Sequence, residues 1–237
     1  CWRRPLTVSE VQNLRNLYGR LRNDGIIHEQ SIRLMIASVL TSPSFLYRRE
    51  ISGPDKDPVN LSAYEMATRL SYFLWSSGPD KELLAAANNG SLNQISVLHD
   101  QTRRMLKDPK IIRMAEQFAC QWFHISDFDK NDDKNEKLFP QFEKLRRSMY
   151  KESLLFFEDM FRNNGSILDL ITADHVFLDR PLAEHYGEDI FNLWDAHKIK
   201  GNGWKRIEGA RLHGRGGILG MSTVLSVNSG ASRTSPI

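Results

Sequence analysis

The chain has 237 residues, 41% of them apolar and 26% charged, which is enough apolar surface for a substantial core in one or two domains. Its 32 Lys and Arg are interleaved with 29 Asp and Glu for a formal net charge of +3, a pattern that argues against a nucleic-acid partner. No stretch reaches the roughly 18 apolar residues of a membrane-spanning helix. The two cysteines, Cys1 and Cys120, belong to no Cys-x-x-Cys or Cys-x-x-Cys-His pattern, so neither a covalent c-type haem nor a thiolate zinc cluster is expected within these residues.

The elements then read in order. Thr7 and Glu10 form a capping box ahead of Val11, Leu14, Leu17, Tyr18 and Leu21 at helical spacing, with a stop at Asp24-Gly25. Ile32, Met35, Ile36, Val39 and Leu40 give a second stripe, ended before Pro43 because the residue preceding proline resists the helical region. These two helices make an N-terminal hairpin, and the turn-rich residues 52–60 read as a linker.

The central signal is the stretch from Leu61 to Gly90. Ser62 and Glu65 form a second capping box, and Ala63, Met66, Ala67, Leu70, Phe73 and Leu74 share one helical face. Pro79 and Asp80 suit the first turn of the next helix, and Gly90 its stop. A helix follows over Ile95 to Leu106, then one opened by Pro109 whose buried face would carry Ile111, Ala115, Phe118, Ala119, Trp122 and Phe123. Residues 140–162 form a long amphipathic run, and short helices are expected over 166–170 and 181–186. Residues 188–203 read as an irregular connection, and a short helix is expected over 218–225.

The expected fold is therefore mainly α: a multi-helix bundle with helical hairpins and an irregular glycine-rich C-terminal segment. Its parts are an N-terminal hairpin module at 1–53, a central helical domain at 60–187, and the start of a further module at 205–237. The sequence opens inside an Arg-Arg-Pro-Leu segment, without an export signal, and stops at Thr-Ser-Pro-Ile without a closing element, so a fragment of a longer polypeptide is expected.

Chemistry-bearing patterns are few. Asp127, Asp129 and Asn131 occupy the first, third and fifth places of a calcium loop, but Asp132 stands where its glycine belongs and Leu138 where its glutamate belongs. A solvated acidic loop is the preferred reading. His175 and His185 lie near Asp174, Asp179 and Glu184 without the spacing of a metal motif, and packing or capping is expected of them. Gly214, Gly216, Gly217 and Gly220 fit neither the dinucleotide fingerprint nor the P-loop. Arg211, His213, Arg215 and Arg233 gather there with glycines and hydroxyl side chains, which makes them the ligand-binding candidates, for an anion such as a sulfated or acidic sugar. The alternative is a structural turn whose arginines satisfy backbone carbonyls.

Several separated motifs also carry a likeness. WRRPLT and SPSFLYRRE within residues 1–50, LSAYEMATRLSYFLWSSGPDKELL and RRMLKDP within 61–108, FPQF and DHVFLDRPLAEHYG within 139–187, and RGGILGMSTVLSVNSGASRTSPI at 215–237 stand in order. In these the chain resembles the planctomycete-type secreted cytochrome-like multidomain proteins, whose modules of unknown function accompany a c-type cytochrome domain. The resemblance implies a periplasmic or extracellular setting, no cofactor in this fragment, a c-type haem elsewhere in the parent protein, and that haem domain as a partner. It brings no catalytic residue. The function expected is thus a non-catalytic structural or interaction region of an exported, redox-linked protein, with a cell-surface or polysaccharide partner. The alternative is part of an enzyme or ligand-binding protein acting on an anionic or polysaccharide substrate, its site near the glycine-rich segment.

Overall fold

The computed structural model describes residues 2–48, 50, 60–130, 134–135, 137–196, 203–227 and 229. It is mainly helical, with a single two-stranded sheet among the described residues. The chain divides into two compact units, residues 1–104 and 105–237. The expected linker at 52–60 lies almost wholly outside the described residues.

In the first unit, α1 (Val8–Asn23) starts on the Thr7 and Glu10 capping box, and α2 (His28–Leu40) packs against it. This hairpin has little interior of its own: of its two helices only Ser31 is buried, its hydroxyl donating to the Ile27 carbonyl. A single turn at Pro43–Leu46 follows, and Trp2 Nε1 donates back to the Val39 carbonyl at 3.3 Å. The core is supplied by α3 (Ala63–Trp75) and α4 (Lys81–Asn88), through Ala67, Leu74, Trp75, Leu83 and Ala87. Both halves of the Ser62 and Glu65 box are formed, and Ser76 leaves the helix in a left-handed conformation. Asp80 stands outside α4 as its N-cap, accepting from the Leu83 amide, and not in its first turn as expected. Its carboxylate also receives Arg104 at 2.7 and 3.1 Å, from α5 (Ile95–Lys107), in which the division between the units falls.

The second unit is organised on α6 (Phe142–Arg162), whose buried residues include Leu145, Met149, Glu152, Leu154, Phe156 and Phe157. The helical run over 112–122 packs beside it but changes phase at a π-helical stretch, Ala115–Ala119. One additional residue per turn rotates the following side chains. Ala115 and Ala119 point inward as expected, with Cys120 beside them, while Phe118 and Trp122, also expected in the core, are 48% and 56% exposed. Phe73 in α3, 61% exposed, departs from its expected place in the same way, because Leu74 and Trp75 take the buried face.

Two elements were not expected at all. Strands β1 (His175–Leu178) and β2 (Lys205–Glu208) pair antiparallel in the register His175 with Glu208 through Leu178 with Lys205. Each has four residues, too few for a period-two pattern to stand out, and each depends on a partner far along the chain. Residues 188–203, read as irregular, contain a helix, α8 (Glu188–Ala196), after α7 (Arg180–Tyr186). Its apolar face is brief: only Ile190 and Trp194 are buried, the latter donating Nε1 to the Leu178 carbonyl at 3.1 Å. The last short helix, α9 (Ser222–Ser226), follows a 3-10 turn at Ile218–Gly220.

Candidate functional site

The side chains with the strongest chemistry in the second unit meet where α6, the end of α7 and the start of α9 come together. Glu152 lies on the apolar stripe of α6, one turn beyond Met149 and one before Phe156, and is fully buried. Its Oε2 accepts the Tyr186 phenol hydrogen at 2.5 Å, while Oε1 is buried without a hydrogen-bond partner. Tyr186 closes α7, a helix whose N-cap Asp179 accepts from the Leu182 amide and from the Ser148 hydroxyl on α6. The start of α9 completes the cluster, as the Ser222 amide and hydroxyl both donate to the Tyr186 oxygen, at 3.1 and 2.9 Å. Next to it Ser153 and Thr223 join α6 to α9 at 2.6 Å.

Arg215 lies over the Tyr186 ring, its guanidinium carbon 3.9 Å from the centroid, and donates Nη1 to the Gly220 carbonyl at 2.9 Å. The electrostatics follow from burial. Desolvation raises the Glu152 carboxyl from 4.5 to about 8; the Tyr186 hydrogen bond and the Arg215 charge pull the other way without offsetting it. Desolvation also holds the Tyr186 phenol well above its ordinary value, reinforced by Glu152. At neutral pH the favoured state is an uncharged carboxyl receiving a phenol hydrogen. Such an arrangement can hold a proton and can join three segments.

The glycines beside it explain the path of the chain. Gly216 has φ 128, and a Cβ there would stand 2.4 Å from the Ala173 carbonyl oxygen; at Gly217, with φ 61, it would stand 2.6 Å from the Leu170 oxygen. Only glycine allows both that backbone conformation and that approach. The loop thus lies directly on the 170–173 backbone.

The ligand candidates are distributed as follows. Arg211 is exposed, its side chain donating to the Thr172 carbonyl and its amide to Asp174 Oδ1. His213 lies 3.6 Å from the exposed Asp189. Arg215 turns inward to Tyr186 and Glu152, and Arg233 lies outside the described residues. Arg211, His213 and Arg215 therefore have separate partners. His175 and His185 also part company: His175 packs against Phe156 and Phe177 with Asp159 at 3.5 Å, its pKa lowered mainly by burial, whereas His185 lines a groove of about 640 Å3 with Phe142, Met149 and Ser226. In the acidic loop Asp127 pairs with Lys130, and Asn131 and Asp132 lie outside the described residues.

Ser222 is among the hydroxyl side chains gathered at the glycine-rich segment, whereas Glu152 and Tyr186 escape a sequence reading, although Glu152 carries one signal. A glutamate stands at a core place in the series Leu145, Met149, Glu152, Phe156, where the spacing calls for an apolar side chain.

Comparison with known families places two matches on this architecture. A family model described as "Protein of unknown function (DUF1592)" matches residues 61–187, more than half of the 237, and one described as "Protein of unknown function (DUF1595)" matches residues 1–50. They cover the motif-bearing stretches within residues 1–50, 61–108 and 139–187, and neither reaches the one at 215–237. No curated protein and no solved structure matches the chain.

Proposed function

The chain belongs to the DUF1592 family of proteins of unknown function, and on that premise we propose that it is a non-catalytic structural or interaction region of an exported, redox-linked polypeptide. The setting rests on the motif resemblance, which implies export and a c-type haem domain elsewhere on the same polypeptide as its partner. The non-catalytic part rests on one observation: the groups best suited to chemistry are engaged with one another inside the fold. Glu152 and Tyr186 are joined to Ser222, Arg215 is stacked on Tyr186 and bonded to Gly220, and Arg211 is bonded to the 172–174 backbone and side chain. A reacting group needs an approach for substrate. Here the carboxyl has none of its surface in water.

The test uses the full-length protein with its haem domain, in a glycan-binding and turnover screen, beside variants Arg215→Met and Arg233→Ala. The expected result is no turnover, and association of the region with the haem domain that both variants retain. Release of product from any glycan, abolished by Arg215→Met in a folded protein, would overturn the proposal.

A further inference from the structure

A groove of about 660 Å3 in the first unit has no part in the role just described. Its volume falls within the about 300–1,000 Å3 of small-molecule sites. Arg3 and Phe45 contribute from the N-terminal module, Tyr64 and Tyr72 from α3, Lys81 and Asn88 from α4. The walls thus come from three separate stretches of chain.

The charge of this groove is one-sided. Arg4, also on its wall, is neutralised by a two-pronged contact with Glu10. Arg3 is not: its guanidinium donates to the Ser44 and Phe45 carbonyls and to the Tyr72 oxygen, all of them uncharged. It also lies 5.9 Å from the Phe45 centroid and 5.1 Å from that of Tyr72, so it is fixed in place. Lys81, exposed at the start of α4, has no hydrogen-bond or carboxylate partner among the described residues, and no aspartate or glutamate among them lines the groove. Donors are left over as well. Tyr72 accepts from Arg3 but gives its own hydrogen to no described residue, and Asn88 accepts from Tyr64 at 2.7 Å while its amide hydrogens are similarly unused.

Fixed positive charge, unused donors and the Tyr64 ring on the wall together define a ligand that is anionic, rich in acceptor oxygens, and flat and apolar on one side. We propose that this groove binds an acidic sugar unit, a pyranose carrying a carboxylate or a sulfate. Arg3 and Lys81 receive the anion, the Tyr72 hydroxyl and Asn88 amide donate to ring and hydroxyl oxygens, and the Tyr64 ring offers a surface for its C–H face, the Phe45 and Tyr72 rings being covered by Arg3 and Arg48. Donors borne by side chains of separate segments suit oxygens spread over a sugar better than a compact phosphate, which backbone amides would cradle. With no lining carboxylate among the described residues, the groove discriminates against cationic ligands. The proposal goes beyond the interaction role above and stands whether or not the polypeptide is exported.

Isothermal titration of the chain with trigalacturonate, a sulfated disaccharide, maltotriose and pyrophosphate tests it. At least one acidic sugar is expected to bind saturably and maltotriose not at all; which acidic probe binds identifies the anion. Lys81→Ala and Tyr72→Phe, with far-UV circular dichroism unchanged, should each raise Kd about tenfold, the loss of one charge-assisted or neutral hydrogen bond. Lys144→Ala removes the same charge from the second unit and should leave Kd unaltered, which separates the groove from general attraction to a basic chain. No acidic-sugar binding, equal binding of maltotriose, tighter binding of pyrophosphate, or an unaltered Kd in Lys81→Ala would each overturn the assignment.

Discussion

Glu152→Gln isolates the consequence of burying a carboxyl. The folded group titrates at about 8 and the ordinary one at 4.5, so between those values the folded chain keeps a proton that the unfolded chain has released. The stabilisation is therefore complete below pH 4.5 and is progressively lost as the pH rises through about 8. The difference between 8 and 4.5, about 3.5 pH units, amounts to roughly 5 kcal/mol at about 1.36 kcal/mol per unit. Glutamine has nearly the same shape, still accepts the Tyr186 hydrogen, and never ionises. It also leaves a donor at the place of the unpartnered Oε1, much as the protonated acid does. Near pH 5 the variant and the parent should thus have similar stability, and above about pH 8 the variant should be the more stable by several kcal/mol. Urea unfolding followed by tryptophan fluorescence at intervals from about pH 5 to pH 8.5 gives both curves. All other titrating groups are common to the two proteins and cancel in the difference. If that difference stays constant over the range, Glu152 is not buried as a neutral acid and the reasoning fails.

Three further outcomes follow from the same geometry. Arg215→Met removes a cation from the Tyr186 face and a donor from Gly220 and should cost about 1–3 kcal/mol in denaturant unfolding. Because Arg215 lowers the Glu152 pKa, its loss should also move that group's transition to higher pH, and a transition at unchanged or lower pH would contradict the pairing. Gly216→Ala sets a methyl group against the Ala173 oxygen at positive φ and should lower stability by about 3 kcal/mol or more, read as a fall in Tm; an unchanged Tm would show that the loop does not lie on the 170–173 backbone. Burial pushes the Cys120 thiol up to about 12, so at mildly alkaline pH a thiol reagent should label it only after unfolding; rapid labelling of the folded chain would refute its placement.

The candidate site was much less legible than the fold. Arg211, His213 and Arg215 suggest a site in sequence because Arg, His and Gly in one short segment are what an anion site requires. Yet a guanidinium binds a carbonyl or an aromatic ring as readily as a ligand. Only the arrangement in space shows Arg215 on Tyr186 and Gly220, Arg211 on Thr172, and His213 beside Asp189. The groove in the first unit was equally hidden, since Arg3 and Phe45 lie in motifs apart from the one that holds Tyr72 and Lys81, and the packing of α3, α4 and the N-terminal segment brings them together.

What the sequence by itself determined was local. The capping boxes at Thr7 and Ser62, the stripes of α1 to α6, and the glycine and proline stops depend on interactions within a few residues, and most of those elements formed where the spacing placed them. Tertiary structure alone decided the pairing of β1 with β2, the phase change that exposes Phe118 and Trp122, and the burial of Glu152. Each depends on a partner more than 25 residues away or on a shift of one residue within a turn. A four-residue strand or a lone glutamate is stable only when the remote backbone, phenol or hydroxyl that satisfies it arrives, and no nearest-neighbour pattern records which one that will be.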